Sequence, residues 1–229
     1  MFFSPSLQFA RSAISVRRDS RRAIFVDAPE ANSSLMSSSR DIDVVSIDEF
    51  DPQRALGLWH ILATNLNMWK SKLTPTITYT LHESSLGRVQ MDDLVEYYTR
   101  RPFVGFVQTN VKGVDTQLAH KASRFQWRGN GALKFVTSDF GFIFVDETTP
   151  ADQPYEWVAI MFGPTLFTSA GIDLMTRTRQ PSTEILNNFV RLCRENPLVR
   201  PKALNMFYTR EKENDSLYYI RDLQTEQDT

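Results

Sequence analysis

Three histidines and a single cysteine are the side chains of this 229-residue chain best suited to metal binding or nucleophilic catalysis. His60, His82 and His120 fall in separate segments, with neither H-x-H nor H-E-x-x-H spacing, and Cys193 stands alone. The pattern predicts no metal site and no internal disulfide. No G-x-S-x-G nucleophile elbow is present. Neither a G-x-G-x-x-G loop nor a P-loop occurs, and Gly129-Asn130-Gly131 reads as a hairpin turn rather than a phosphate cradle. No cofactor is expected. The remaining candidate for chemistry is Asp173, a carboxylate set among Ile172, Leu174 and Met175. Facing an apolar interior, it would have its pKa raised by desolvation and serve as a general acid or base, or pair with a ligand hydroxyl or amine. At a solvated rim it would pair with a surface Lys or Arg instead.

The length suits one domain with a full core. Lys plus Arg (26) nearly balance Asp plus Glu (27), for a net charge of −1, which argues against a nucleic-acid partner. No apolar run reaches the roughly 18 residues of a membrane-spanning helix. The compositional outlier is aromatic: 16 Phe, 7 Tyr and 4 Trp supply ample material for a cavity wall or a dense core.

At the start of residues 1–45, Arg11, Arg17, Arg18, Arg21 and Arg22 face one early acid, Asp19, and the segment is dense in Ser. They read as a disordered basic segment or a mitochondrial presequence. Residues 46–210 read as the folded domain. There, apolar-rich runs at 54–64, 74–83, 89–99, 103–112, 118–128, 131–137, 140–147, 155–163 and 171–179 are rich in β-forming residues and separated by turn signals such as Pro102 and Gly163-Pro164. This predicts an all-β sandwich or barrel of eight or nine antiparallel strands. After Pro181, a Ser182 N-cap and the spacing of Ile185, Leu186, Phe189, Val190 and Cys193 predict an amphipathic helix over 182–195, stopped before Pro197. It would pack against the outside of the barrel. Ala203–Tyr208 reads as one more strand, and 211–229 as a polar, mobile tail with one short docked turn at most.

Two distant pieces of this pattern resemble the lipocalin signature. Gly57-Leu58-Trp59 is similar to the G-x-W motif of the first barrel strand. Tyr155–Pro164 followed by Asp173–Thr178 resembles the last two strands of bacterial-type, apolipoprotein D-like lipocalins of the calycin superfamily, which end in a Ser-Arg-Thr-like triplet, here Thr176-Arg177-Thr178. The resemblance spans about Arg54 to Tyr208, and the helix follows at the required distance. Thr176 and Asp173 depart from the usual residues. The middle motif has Asp146-Glu147-Thr148 as its nearest match. The resemblance implies an eight- to nine-stranded lipocalin-like barrel with the C-terminal helix outside. It further implies that Trp59 plugs one end, that Arg177 covers the indole, and that Gly57 leaves room for the crossing backbone.

Strand alternation then sends every second side chain inward. With Trp59 inward, Gly57, Ile61 and Ala63 should follow, as should Met175 and Asp173 with Arg177. The candidate ligand-lining residues are Tyr79, Phe106, Trp127, Phe142, Phe144, Trp157 and Met161. Trp69, with Lys70 and Lys72, would lie over the open mouth as a lid, a membrane contact or a loop anchor. Two functions follow from the resemblance. One is an intracellular, most simply cytoplasmic, carrier of a small hydrophobic molecule. The other is a cofactor-independent isomerase or cyclase of pericyclase type, acting on a polyketide- or terpenoid-like intermediate of secondary metabolism through Asp173, Tyr79, Trp127 and Trp157. Neither reading fixes the oligomeric state.

Overall fold

The computed structural model describes residues 47, 49–82, 88–119, 121–164, 169–214 and 216–224. The Arg- and Ser-rich start, His120 and the last five residues lie outside that set. Eight strands form an antiparallel closed barrel: β1 (Gly57–Thr64), β2 (Leu73–Leu81), β3 (Gln90–Arg101), β4 (Gly105–Gln117), β5 (Arg124–Gly129), β6 (Thr137–Val145), β7 (Trp157–Phe162) and β8 (Gly171–Thr176). Each pairs with its neighbour in sequence, and β1 closes the ring by pairing with both β2 and β8. Two short strands, β9 (Phe207–Tyr208) and β10 (Tyr218–Tyr219), extend the sheet from the end of β1, at Ala63 and Thr64. Among the described residues, no helix is long and apolar enough to cross a membrane.

A four-residue helix, α1 (Pro52–Ala55), precedes β1. Asp51 caps it by accepting from the Gln53 N–H, and Pro52 starts it with a pre-set φ. The main helix, α2 (Thr183–Glu195), is capped by the Ser182 hydroxyl, which accepts from the Ile185 N–H. It ends where Asn196, restricted by the following Pro197, turns extended. Phe189 and Cys193 are fully buried on its apolar stripe, against Ala159, Met161, Ile172 and Leu174 of the outer barrel wall. Burying a Phe side chain this way stabilises by about 1.5–3 kcal/mol.

There are thus two cores, one inside the barrel and one between barrel and helix, and strand parity decides which core a residue joins. Register shifts change that parity twice. Between Ile61 and Ala63 an extra residue on β1 turns Ala63 outward, under the helix, although Trp59 and Ile61 point inward. Between Phe142 and Phe144 a second shift pairs Phe144 with the outward Ala159, so Phe142 joins the inner core and Phe144 the outer one. Such bulges bend a strand so that it can follow the barrel's curvature.

Other segments differ from the sequence expectation. The run 131–137 is not a strand of its own. Gly131–Leu133 forms a single 3-10 turn, and β6 begins at Thr137. The segment after Arg210 docks more fully than a mobile tail would. Tyr218–Tyr219 pairs with β9, and a 3-10 turn over Arg221–Leu223 follows it. Ile220 and Leu223 are buried in the outer core, which is what holds a chain so rich in charge.

Candidate functional site: a sealed floor and an acid-lined hollow

The lower end of the barrel is packed solid. Trp59 is completely buried, and its indole N–H donates to the Ala55 carbonyl at 2.7 Å, the free end of α1. The Arg177 guanidinium lies over the indole, its Cζ 3.5 Å from the ring centroid. It donates to three backbone carbonyls, of Tyr155 at 2.9 Å and of Leu58 and Arg54 at 3.0 Å. Partial burial pushes the Arg177 pKa down to about 10, opposed by Glu156, so it stays charged at neutrality. Gly57 adopts a φ of +99°, and a Cβ there would meet the Arg177 guanidinium at 3.2 Å. The glycine therefore serves both the turn into β1 and the space for the arginine. Phe50 completes the floor, stacking on Phe142 at 4.3 Å between ring centroids.

Toward the other end, β1 runs into the 3-10 turn Asn67–Ser71, and above the floor the barrel keeps a cavity of about 250 Å³. Its walls are Leu66, Met68, Trp69, Ile77, Val95, Tyr97, Val111, Trp127, Val136, Phe140 and Phe162, with Ser138, Lys72 and three acidic groups: Tyr79, Asp93 and Asp173. Trp127 can lie close against β4 because position 113 is glycine; a Cβ there would collide with its indole.

The acidic groups have little to satisfy them. Asp173 is 1% exposed; one oxygen accepts from the Trp69 indole N–H at 3.3 Å, and the other has no hydrogen-bond partner. Burial raises its pKa to about 7 against the opposing hydrogen bonds of Thr64 and Trp69. Asp93 lies directly across from Tyr79 in the β2–β3 register. Asp115, opposite Met91 and Trp127, sits just behind it on β4. Asp93 Oδ1 and both oxygens of Asp115 are buried without partners. Burial pushes both carboxyls well above the usual carboxylate range, and for Asp115 the neighbouring Asp93 adds to the rise. Burial likewise raises the Tyr79 hydroxyl, helped by the charges of Asp93, Asp115 and Asp173. At the mouth, the Lys72 ammonium rests over Trp69 and Tyr97, at 4.9 and 4.7 Å from the ring centroids, and burial lowers its pKa. Among the described residues no cluster of three or more His, Cys, Asp or Glu could hold a metal ion.

The residues singled out from the sequence divide accordingly. Tyr79, Trp127 and Asp173 come together at the cavity. Phe142 faces inward but belongs to the floor, under Phe50 and beside Phe125. Phe144 is turned out by the register shift described above. Trp157 and Met161 also point outward, beneath α2, because on β7 it is Val158 and Ile160 that join the inner core. Phe106 shares the outward parity of its strand, opposite to Val111, and is 47% exposed. The residues that sequence reasoning missed are Asp93 and Asp115. Their signal was parity: Asp93 alternates with Met91, Val95 and Tyr97, and Asp115 with Val111.

No family model and no curated protein matches the chain. Among solved structures, lobster apocrustacyanin A1 is similar over 70% of this chain and 79% of its own, with a TM-score of 0.48 and 8% identity. Apocrustacyanin C1 is similar to the same degree. The siderocalin Ex-FABP is similar over 62% of this chain and 86% of its own, with a TM-score of 0.38 and 14% identity.

Proposed function

We propose that this protein is a lipocalin-like barrel that binds one small apolar molecule in the cavity between Trp69 and Trp127. The observation that carries the reading is the contrast between the two ends of the barrel. One end is filled by Trp59, Phe50 and Phe142, whereas the other keeps a hollow of about 250 Å³ walled by aromatic and aliphatic side chains. That volume falls just below the roughly 300–1,000 Å³ of common ligand pockets, which favours a compact ring system over a long-chain lipid. The G-x-W strand, the arginine over its tryptophan and the outer helix support membership of the lipocalin and calycin superfamily. Gly163-Pro164 and Thr176-Arg177-Thr178 favour its bacterial-type, apolipoprotein D-like branch. A lone buried cysteine suits a reducing, intracellular setting, cytoplasmic in the simplest case and mitochondrial if the Arg-rich start directs import.

Native mass spectrometry of the full chain purified from cells tests this reading. The expected result is a one-to-one small-molecule adduct that denaturation releases and that a compact apolar compound replaces. A bare protein that also fails to take up such a compound would overturn it.

A second reading, cofactor-free isomerisation or cyclisation of a hydrophobic polyketide- or terpenoid-like intermediate, is favoured by Asp173. A carboxyl with a pKa of about 7 facing an apolar hollow can lend a proton to a bound polyene and take it back, while the walls hold the substrate near its reactive shape. Turnover abolished in Asp173→Asn with binding retained would support it. Identical turnover by the variant would remove it.

A further inference from the structure

We propose that the cavity selects a compact amphiphile bearing a protonated amine, its ammonium drawn to the unpartnered carboxyl oxygens that line the cavity, of Asp93 (with Asp115 behind it) and of Asp173, and its apolar body against Trp127. This rests on the binding reading above and names the class of ligand.

The argument begins with acceptors that lack donors. Asp93 and Asp173 face the cavity while being more than nine-tenths buried, and each has an oxygen without a hydrogen-bond partner. Asp115, wholly buried behind Asp93, has neither oxygen satisfied. A barrel meant for a hydrocarbon would place Val or Leu at such positions, since a buried polar group without a partner is costly. The pattern is what remains when the partner is brought by the ligand.

The missing partner is also a charge. The nearest cation at the cavity, Lys72, is turned toward the faces of Trp69 and Tyr97, and no ion pair joins it to these carboxyls. It shows instead that the aromatic mouth tolerates an ammonium. A hydroxyl offers one donor, whereas an ammonium offers three and a positive charge, which suits carboxyl oxygens that are buried without a partner or a counter-charge.

Proton balance follows. The titratable and charged groups facing the pocket are Tyr79 from β2, Asp93 and Tyr97 from β3, Asp173 from β8, and Lys72 at the mouth, with Asp115 of β4 behind Asp93. Burial raises all three carboxyls, Asp93 and Asp173 to about 7, so in the empty cavity those two are divided between protonated and ionised forms at neutrality. An incoming ammonium favours their ionised forms, so each binding event expels protons to solvent and binding tightens as pH rises through neutrality. The amine itself stays protonated, and no covalent bond changes.

Three indoles of one shape test this with the full chain: cationic tryptamine, neutral ethylindole and anionic indolepropionate. Isothermal titration at neutral pH, in two buffers of different ionisation enthalpy, reads affinity and proton release together. The expected result is tryptamine binding at least about tenfold tighter than ethylindole, indolepropionate weakest, and protons released with tryptamine alone. In the Asp93→Asn/Asp115→Asn double variant the ratio of tryptamine to ethylindole affinity should collapse toward one; a ratio kept at the parent value would overturn the amine inference. Asp173→Asn gives a milder change that should lower the preference in the same direction. Ethylindole binding as tightly as tryptamine would overturn the amine inference and leave the apolar-cavity reading standing. Failure of all three indoles to bind would overturn both.

Discussion

Arg177 and Trp59 meet across the barrel floor, guanidinium over indole at 3.5 Å, although 118 positions separate them in the chain. The contact ties β1 to the segment leaving β8 and, through the Arg54 and Tyr155 carbonyls, to α1 and the entry to β7. It closes the barrel end against water.

Truncating the plug should therefore be severe. Trp59→Ala is expected to lose about 3–5 kcal/mol of unfolding free energy in urea, the usual cost of deleting a buried aromatic. Arg177→Lys keeps the charge but cannot span three carbonyls with one ammonium, and should lose about 1–3 kcal/mol. A denaturation midpoint unchanged in either variant would show that the floor is not what holds the barrel shut.

Asp173 makes stability depend on pH in a defined direction. Its folded-state pKa, raised by burial to about 7, lies above its value in the unfolded chain. Between about pH 4 and pH 7 the folded protein therefore keeps a proton that the unfolded chain has lost, and stability falls as pH rises. Asp93 and Asp115 act with the same sign. Thermal melts of the ligand-free protein should show this decline, and Asp173→Asn should flatten part of it. A variant whose melts keep the full slope of the parent would contradict the assignment.

Trp127 and Trp157, which the sequence alone places together in the cavity lining, should separate by experiment. Trp127→Ala removes a cavity wall and should weaken ligand binding strongly. Trp157→Ala, beneath α2, should leave binding nearly intact and instead cost about 3–5 kcal/mol of stability. The reverse pattern would mean that the β7 parity is the opposite of the one described.

This contrast shows what the sequence makes legible. Pro181, Ser182 and the spacing of Phe189 and Cys193 mark the helix and its buried stripe, because a helical period and a cap are local properties. Gly57, Trp59 and Arg177 are legible as an ordered set for a different reason, since each is a residue type that the crossing demands. Inward and outward facing are less legible. One extra residue near Leu62 and another near Ile143 reverse the parity that follows, and neither carries a turn residue to announce it. Asp93 and Asp115 were hidden by a sound general rule, that a charged residue in a strand faces water. They break it because one lines the cavity and the other is buried behind it.

Cys193 provides a chemical probe of the outer core. It is fully buried under the helix, and burial pushes its thiol up to about 12. It should resist a disulfide reagent in the folded state and react only as the helix detaches, so that its labelling rate tracks denaturant. Rapid labelling of the native protein would show that α2 is loosely docked.

The central claim, a ligand cavity between two particular tryptophans, can be tested through the four indole N–H resonances of the nitrogen-labelled chain during titration with a compact neutral aromatic. Trp69 and Trp127 should shift and saturate at one ligand per chain, while Trp59 in the floor and Trp157 beneath the helix hold still. Four unmoved resonances, or a shift confined to Trp157, would contradict the account.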